Sequence, residues 1–249
     1  MSNTTPDAFA HHPELRGKIA DPLTSFFRTF GRKSLLENHP NPEVLKDFLR
    51  SDIDREANRH NFLAAHGQGD LWVFGYGSLM WDPGFQFSDV RRASVAGHSR
   101  QFILVDDKGG RGTVAAPGLM AALDQTLDES ATCQGLGFRI AASLVGAETE
   151  ILWQREMVGF AYLPVLVTAQ INNQPEKVLT FKANHAAASI RRDLSRADQI
   201  RYFAQGQGFL GSSKDYLANI VRQFALLGIV DDACTDLLRE VEEFMRQSQ

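Results

Sequence analysis

The stretch Leu71-Trp72-Val73-Phe74-Gly75-Tyr76-Gly77-Ser78-Leu79-Met80-Trp81 decides the reading of this 249-residue chain. A β-rich apolar run ends in two glycines that flank a tyrosine. Glycine at both positions lets the backbone turn sharply after the strand and leaves consecutive N–H groups free, a nest that binds anions and suits a substrate carboxylate. The same residues also fit a plain bend with packed aromatics. A phosphate loop is excluded, because no Gly-Lys-Ser/Thr follows and Gly-x-Gly-x-x-Gly is absent.

Working outward from this turn, further strands are expected at 93–105, 134–140, 162–170 and 177–183, with a short helix at 148–157 between the second and third. Asp106-Asp107-Lys108-Gly109-Gly110 and Asn172-Asn173-Gln174-Pro175 read as turns. The C-terminal third is helical. Tyr216, Leu217, Ile220, Val221, Phe224 and Leu227 recur at helical spacing behind the cap residues Ser212 and Ser213, with Gly228 at the C-terminal cap and a last helix over 231–245. Strands first and helices later predict an α+β domain with a mixed or antiparallel sheet.

Residues 1–70 are richer in His, Pro, Asn and charge, and are expected to form an accessory, partly helical segment ahead of a catalytic domain over 71–249. Within the segment, Asn41-Pro42-Glu43 resembles a helix start, placing Val44, Leu45, Phe48 and Leu49 on one face. Its histidines, His11, His12, His39, His60 and His66, form no HxxxH or HxH pair, so no metal site is expected.

Composition narrows the class of function. With 26 basic and 30 acidic side chains the net charge is −4, and no basic run occurs, which argues against a nucleic-acid partner. Two distant cysteines, Cys133 and Cys234, predict reduced buried thiols. The N-terminus has no signal-peptide pattern, and the longest apolar run, Phe160 to Val167, is far short of a membrane span, so a cytoplasmic protein is expected. Oligomeric state is not legible.

A second chemical feature is Leu152-Trp153-Gln154-Arg155-Glu156-Met157-Val158-Gly159-Phe160-Ala161-Tyr162. Glu156 stands near the end of a predicted helix that Gly159 would terminate. Desolvation by Trp153, Met157 and Phe160, with the negative end of the helix dipole, would raise its pKa and make it a better base. The alternative is a surface glutamate paired with Arg155. Ser78 has no elbow motif or triad partners, so serine hydrolysis is not expected.

Together, Phe74-Gly75-Tyr76-Gly77-Ser78-Leu79-Met80-Trp81 and Leu152-Trp153-Gln154-Arg155-Glu156-Met157 resemble the ChaC family of γ-glutamylcyclotransferases. Arg91-Arg92-Ala93, Gly97 with Arg100, Arg111-Gly112-Thr113, Pro117-Gly118-Leu119, Gly135-Leu136-Gly137-Phe138-Arg139 and Gly211-Ser212-Ser213-Lys214-Asp215-Tyr216-Leu217 follow that pattern in order. The sequence departs from it at Gly97-His98-Ser99-Arg100, where relatives have an aromatic and a histidine before the arginine. The resemblance implies a mixed αβ fold with a small barrel-like sheet and a cofactor-free, metal-independent lyase that releases 5-oxoproline and Cys-Gly from glutathione. It also implies site roles: Gly75, Tyr76, Gly77, Ser78 and Leu79 in the binding loop, Glu156 as proton acceptor, and Tyr162 and Arg111 as substrate contacts. Other γ-glutamyl amino acids or amines, or binding without turnover, are the competing readings.

Overall fold

The computed structural model describes residues 7–248 apart from 40 and 129. Nine strands are described: β1 (Leu71–Gly75), β2 (Asp89–Ala96), β3 (His98–Lys108), β4 (Thr113–Gln125), β5 (Thr132–Ile140), β6 (Tyr162–Ile171), β7 (Gln174–Ala183) and the two-residue β8 (Gln207–Gly208) and β9 (Gly211–Ser212). Six α-helices accompany them: α1 (Arg32–Asn38), α2 (Asp52–His66), α3 (Val145–Glu156), α4 (Arg196–Gln205), α5 (Ser213–Leu227) and α6 (Asp232–Gln247).

The large sheet runs in the order β1-β5-β2-β6-β7-β4-β3, and a further parallel pairing of β1 with β7 closes the first five strands into a barrel. Closure rests on Trp72 opposite Val178 and Val73 opposite Leu179. Both edges of the five-stranded unit are thereby removed. The hairpin of β3 and β4 leaves the barrel, joined to β7 through Leu123 opposite Lys182. The expected α+β class with a mixed, barrel-like sheet and a helical C-terminal part is the one observed.

The central barrel strands carry runs of buried residues, as strands covered on both faces do. Val73, Phe74, Leu136, Phe138, Leu179 and Phe181 are almost completely buried, and they meet Trp153 of α3 and Leu217, Ile220 and Phe224 of α5. Helix α5 begins as its sequence dictates: Ser212 Oγ accepts the Asp215 N–H, and Gly228 ends the helix in the left-handed conformation at φ +61°. Asp231 caps α6 by accepting from the Cys234 N–H. Cys133 and Cys234 are both free and buried.

The elements depart from the sequence reading at four places. The strand expected over 93–105 is two strands, divided at Gly97, whose φ of +67° turns the chain out of the barrel into β3. Strand β4 was not anticipated, because Pro117 and Gly118 interrupt its apolar pattern; Gly118 lies so close to the Arg111 carbonyl that a Cβ would come within 2.3 Å of it. At Asn41 the side chain makes no capping bond, and a 3-10 turn (Pro42–Leu45) replaces the expected helix, with Leu45 and Leu49 buried but Val44 38% exposed. Gly159 does not cap α3, which ends at Glu156 with Met157 as its C-cap. Its missing side chain makes room for Phe48, whose ring a Cβ would approach to 2.8 Å.

The segment before β1 is fastened to the barrel at several points. Leu15 and Ile19 belong to the main core, while Phe27, Phe30, Leu35, Leu45 and Leu49 form a second cluster. Ser25 Oγ donates to Asp82 Oδ1 at 2.6 Å. Arg28 forms an ion pair with Glu148 of α3, a carboxylate with only 1% of its side chain exposed, which also accepts from the backbone and side-chain amides of Gln86 at 2.8 Å each. Removing one partner of such a pair strands a desolvated charge. Arg28→Met is therefore expected to lower stability by roughly 2–3 kcal/mol, read as a shifted urea midpoint with unchanged slope.

Candidate active site

The site lies at the rim of the barrel where β1 runs into the glycine turn. Gly77 is followed by a 3-10 turn (Ser78–Met80) whose first internal bond runs from the Met80 N–H to the Gly77 carbonyl at 2.9 Å. The N–H groups at the start of a helical turn have no acceptor within it, so the turn presents donors at its mouth. Both glycines are required by space. A Cβ on Gly75 would meet Leu79 Cβ at 2.8 Å, and one on Gly77 would meet the Tyr216 hydroxyl at 2.6 Å.

Glu156 reaches this turn from the last residue of α3. Its side chain is 13% exposed and accepts from Arg155 Nε at 2.9 Å. The two readings of Glu156 thus converge: it is paired with Arg155, but the pair is largely withdrawn from solvent rather than on the surface. Burial raises the carboxyl above its ordinary value, and the neighbouring guanidinium only partly offsets this. Arg155 in turn donates from Nη2 to Ser78 Oγ at 2.7 Å and from Nη1 to the Asp82 carbonyl, with Phe27 stacked on it at 3.7 Å from ring centroid to Cζ. One guanidinium therefore fixes the carboxylate relative to the glycine turn.

Three tyrosines surround the carboxylate. Tyr76 donates to the Phe181 carbonyl at 2.6 Å and Tyr162 to the Ala121 carbonyl at 2.7 Å, while Tyr216 accepts from the Ala121 N–H at 3.2 Å and keeps its own proton to donate. Burial pushes the hydroxyls of Tyr76 and Tyr162 far up, with Glu156 and a neighbouring tyrosine adding to it, and pushes Tyr216 up to about 12. All three are neutral hydrogen-bonding groups at physiological pH.

Two adjoining spaces meet here. A recess of about 30 Å³ is bounded by Tyr76, Gly77, Ser78, Glu156, Tyr162 and Tyr216 among others, and a cleft of about 690 Å³ opens beside it, sharing Ser78, Glu156, Tyr162 and Tyr216. Arg111 lines the cleft, its guanidinium held by the carbonyls of Leu210 and Ser212 and lying 4.9 Å from the Tyr216 ring centroid. Leu79 bounds the recess; Gly75 lies in β1 behind it. The geometry brings together Tyr76, Gly77, Ser78, Leu79, Glu156, Tyr162 and Arg111. Sequence reasoning missed Tyr216, assigned only to a packed helix face, and the tie from Arg155 to Ser78. Among the described residues no group of three or more His, Cys, Asp or Glu is placed to hold a metal, and no helix is long and apolar enough to cross a membrane.

A glycine turn and a buried carboxylate at the rim of a closed five-stranded barrel define a protein of the γ-glutamylcyclotransferase fold. The crystal structure of a yeast γ-glutamylcyclotransferase specific to glutathione superposes with a TM-score of 0.65 over 71% of this chain and 97% of that one, at 19% identity. In sequence, the chain is 31% identical over 183 residues to the glutathione-specific γ-glutamylcyclotransferase of Escherichia coli (strain K12), covering 73% of this chain and 77% of the relative. It is 30% identical to the human glutathione-specific γ-glutamylcyclotransferase 1, covering 75% and 78%. The chain belongs to the ChaC-like protein family, whose model matches residues 71–244.

The crowding at Gly77 generates a direct test. Gly77→Val should displace the Tyr216 hydroxyl and the mouth of the turn, reducing substrate affinity at least about tenfold in a calorimetric titration, because buried polar groups would lose their partners.

Proposed function

We propose that this protein is a γ-glutamylcyclotransferase that degrades glutathione to 5-oxoproline and Cys-Gly, with Glu156 as its proton acceptor. The observation that carries the proposal is the buried carboxylate of Glu156, held by Arg155 at 2.9 Å and facing the same recess as the glycine turn. The names of the family relatives support the substrate.

In this reading the N–H donors after Gly77 receive the α-carboxylate of the γ-glutamyl group, which places the α-ammonium toward Glu156. Glu156 takes a proton, and the freed amine attacks the γ-amide carbonyl of the same residue, closing a five-membered lactam. The attacking nitrogen gives up a second proton as the new C–N bond forms and the old one breaks. Both protons are regained by the departing amine, which leaves as the ammonium of Cys-Gly. No water is consumed and no covalent enzyme intermediate is required. Tyr216, with its proton to donate, suits the oxygen that gains charge in the tetrahedral stage. Holding the substrate bent supplies more of the rate than proton transfer, since well-oriented intramolecular attack is worth up to about 7–11 kcal/mol and general base catalysis about 10² to 10⁴.

Arg111 and Tyr162 are read as substrate contacts from the cleft side. Residues 1–70 are read as an accessory segment to a catalytic part over 71–249, and the protein as cytoplasmic, without a nucleic-acid partner and with no cofactor or metal in the proposed chemistry.

Two measurements test the assignment. Glu156→Gln should keep fold and glutathione affinity while turnover to 5-oxoproline falls at least about 10²-fold; undiminished turnover overturns it. The acid limb of kcat/KM gives the second. The base acts when ionised, and burial raises its pKa, so activity should fall with decreasing pH through a midpoint above the ordinary glutamate value of 4.5. A midpoint at or below that value contradicts a desolvated base.

A further inference from the structure

The cleft beside Glu156 has a mixed lining. Polar groups, Ser78, Arg111, Glu156 and Asp47 among them, alternate with apolar ones such as Met120 and Phe160, and the segment before β1 adds an apolar wall of Phe27, Phe30, Leu35, Val44, Leu45 and Phe48. All six wall residues precede the stretch 71–244 that matches the family. The wall is fixed in place. Phe27 is stacked on Arg155, Phe48 occupies the space that Gly159 leaves, and Leu45 is 1% exposed within its own cluster. At the mouth, Val44 remains 38% and Phe209 51% exposed. The apolar surface left accessible at Val44 and Phe209 beside a preformed cleft favours a ligand that covers it.

The Cys-Gly half of glutathione, a small thiol on an amide with a terminal carboxylate, offers little apolar surface to such a wall. The cleft, about 690 Å³ against about 30 Å³ for the recess, is far the larger of the two and shares Glu156 with it. We propose that the wall contributed by residues 27–48 is a subsite for an apolar substituent on the amine half of the substrate. The chemical class is a γ-glutamyl amide whose leaving amine bears an alkyl or aryl group. That chemistry has two sources, glutathione substituted on sulfur and a γ-glutamyl dipeptide of a large apolar residue. Lys108 lines the same cleft paired with Asp107 at 3.1 Å, and Arg111, also in the lining, complements the carboxylate that both sources carry. The bonds made and broken are those of the cyclisation above: the lactam C–N bond forms, the γ-amide C–N bond breaks, and a thioether is left untouched. The inference rests on the cyclotransferase reading of Glu156.

The test is a steady-state comparison of the full chain on glutathione, S-methylglutathione, S-hexylglutathione, γ-glutamyl-alanine and γ-glutamyl-leucine, with 5-oxoproline as the readout. KM is expected to fall at least about tenfold from the methyl to the hexyl thioether, from alanine to leucine, or in both series, and the series that responds identifies the source. In the double variant Val44→Ser, Phe209→Ser, both sites being exposed, the preference for hexyl over methyl or for leucine over alanine should shrink toward unity. A KM that is flat or rises along both series while glutathione is consumed overturns the subsite alone. Failure to release 5-oxoproline from any of the five, glutathione included, overturns the cyclotransferase reading and the subsite with it.

Discussion

The site depends on one buried guanidinium. Arg155 touches Glu156, Ser78, the Asp82 carbonyl and the face of Phe27. It thereby joins α3, the glycine turn, the loop after it and the N-terminal segment. A carboxylate out of water is costly by itself, and a planar fork that also satisfies two oxygens on another element makes the arrangement tolerable. The net result is asymmetric: the pairing keeps Glu156 in position, yet burial still leaves its proton affinity above the ordinary value. In the proposed reaction, a carboxylate in that state is more useful as a base than one neutralised by a closer-fitting ion pair.

The barrel gives this contact its rigidity. Strand β1 is paired on both sides, with β5 over its whole length and with β7 at two positions, so the turn that follows it has little freedom. Tyr216 approaches from α5 and bonds to Ala121 of β4, so the hairpin outside the barrel is tied to the helix that packs beneath the turn. Ligand sites held by such crossing elements are largely formed before the ligand arrives.

Much of this was legible in the sequence where the signals are local. The strand before Gly75, the capped α5 with Gly228 behind it, and the placement of Glu156 at a helix end all follow from patterns a few residues long. The non-local part was not legible. An Arg-Glu dipeptide reads as a surface pair because the acceptors that bury it, Ser78 and Asp82, are more than seventy positions away. Tyr216 has the spacing of a core residue and is one; that its hydroxyl stands against Gly77 depends on where α5 docks. Strand β4 was hidden by Pro117 and Gly118, which argue against a strand unless a neighbour such as the Arg111 carbonyl needs that space. The apolar cluster before β1 was legible only in part: Leu45, Phe48 and Leu49 share a face in the sequence, but their meeting with Phe27 and Phe30 depends on docking.

The barrel's seam has a consequence for the life of the chain. Trp72 and Val73 meet Val178 and Leu179 across more than one hundred intervening residues, and Tyr216 arrives later still. Contacts of such long range form slowly, and a protein emerging from the ribosome acquires its N-terminal parts first. The glycine turn is therefore made early but finished late, when Tyr216 has been released. The barrel can close once β7 has emerged, but the recess lacks its Tyr216 side until α5 docks.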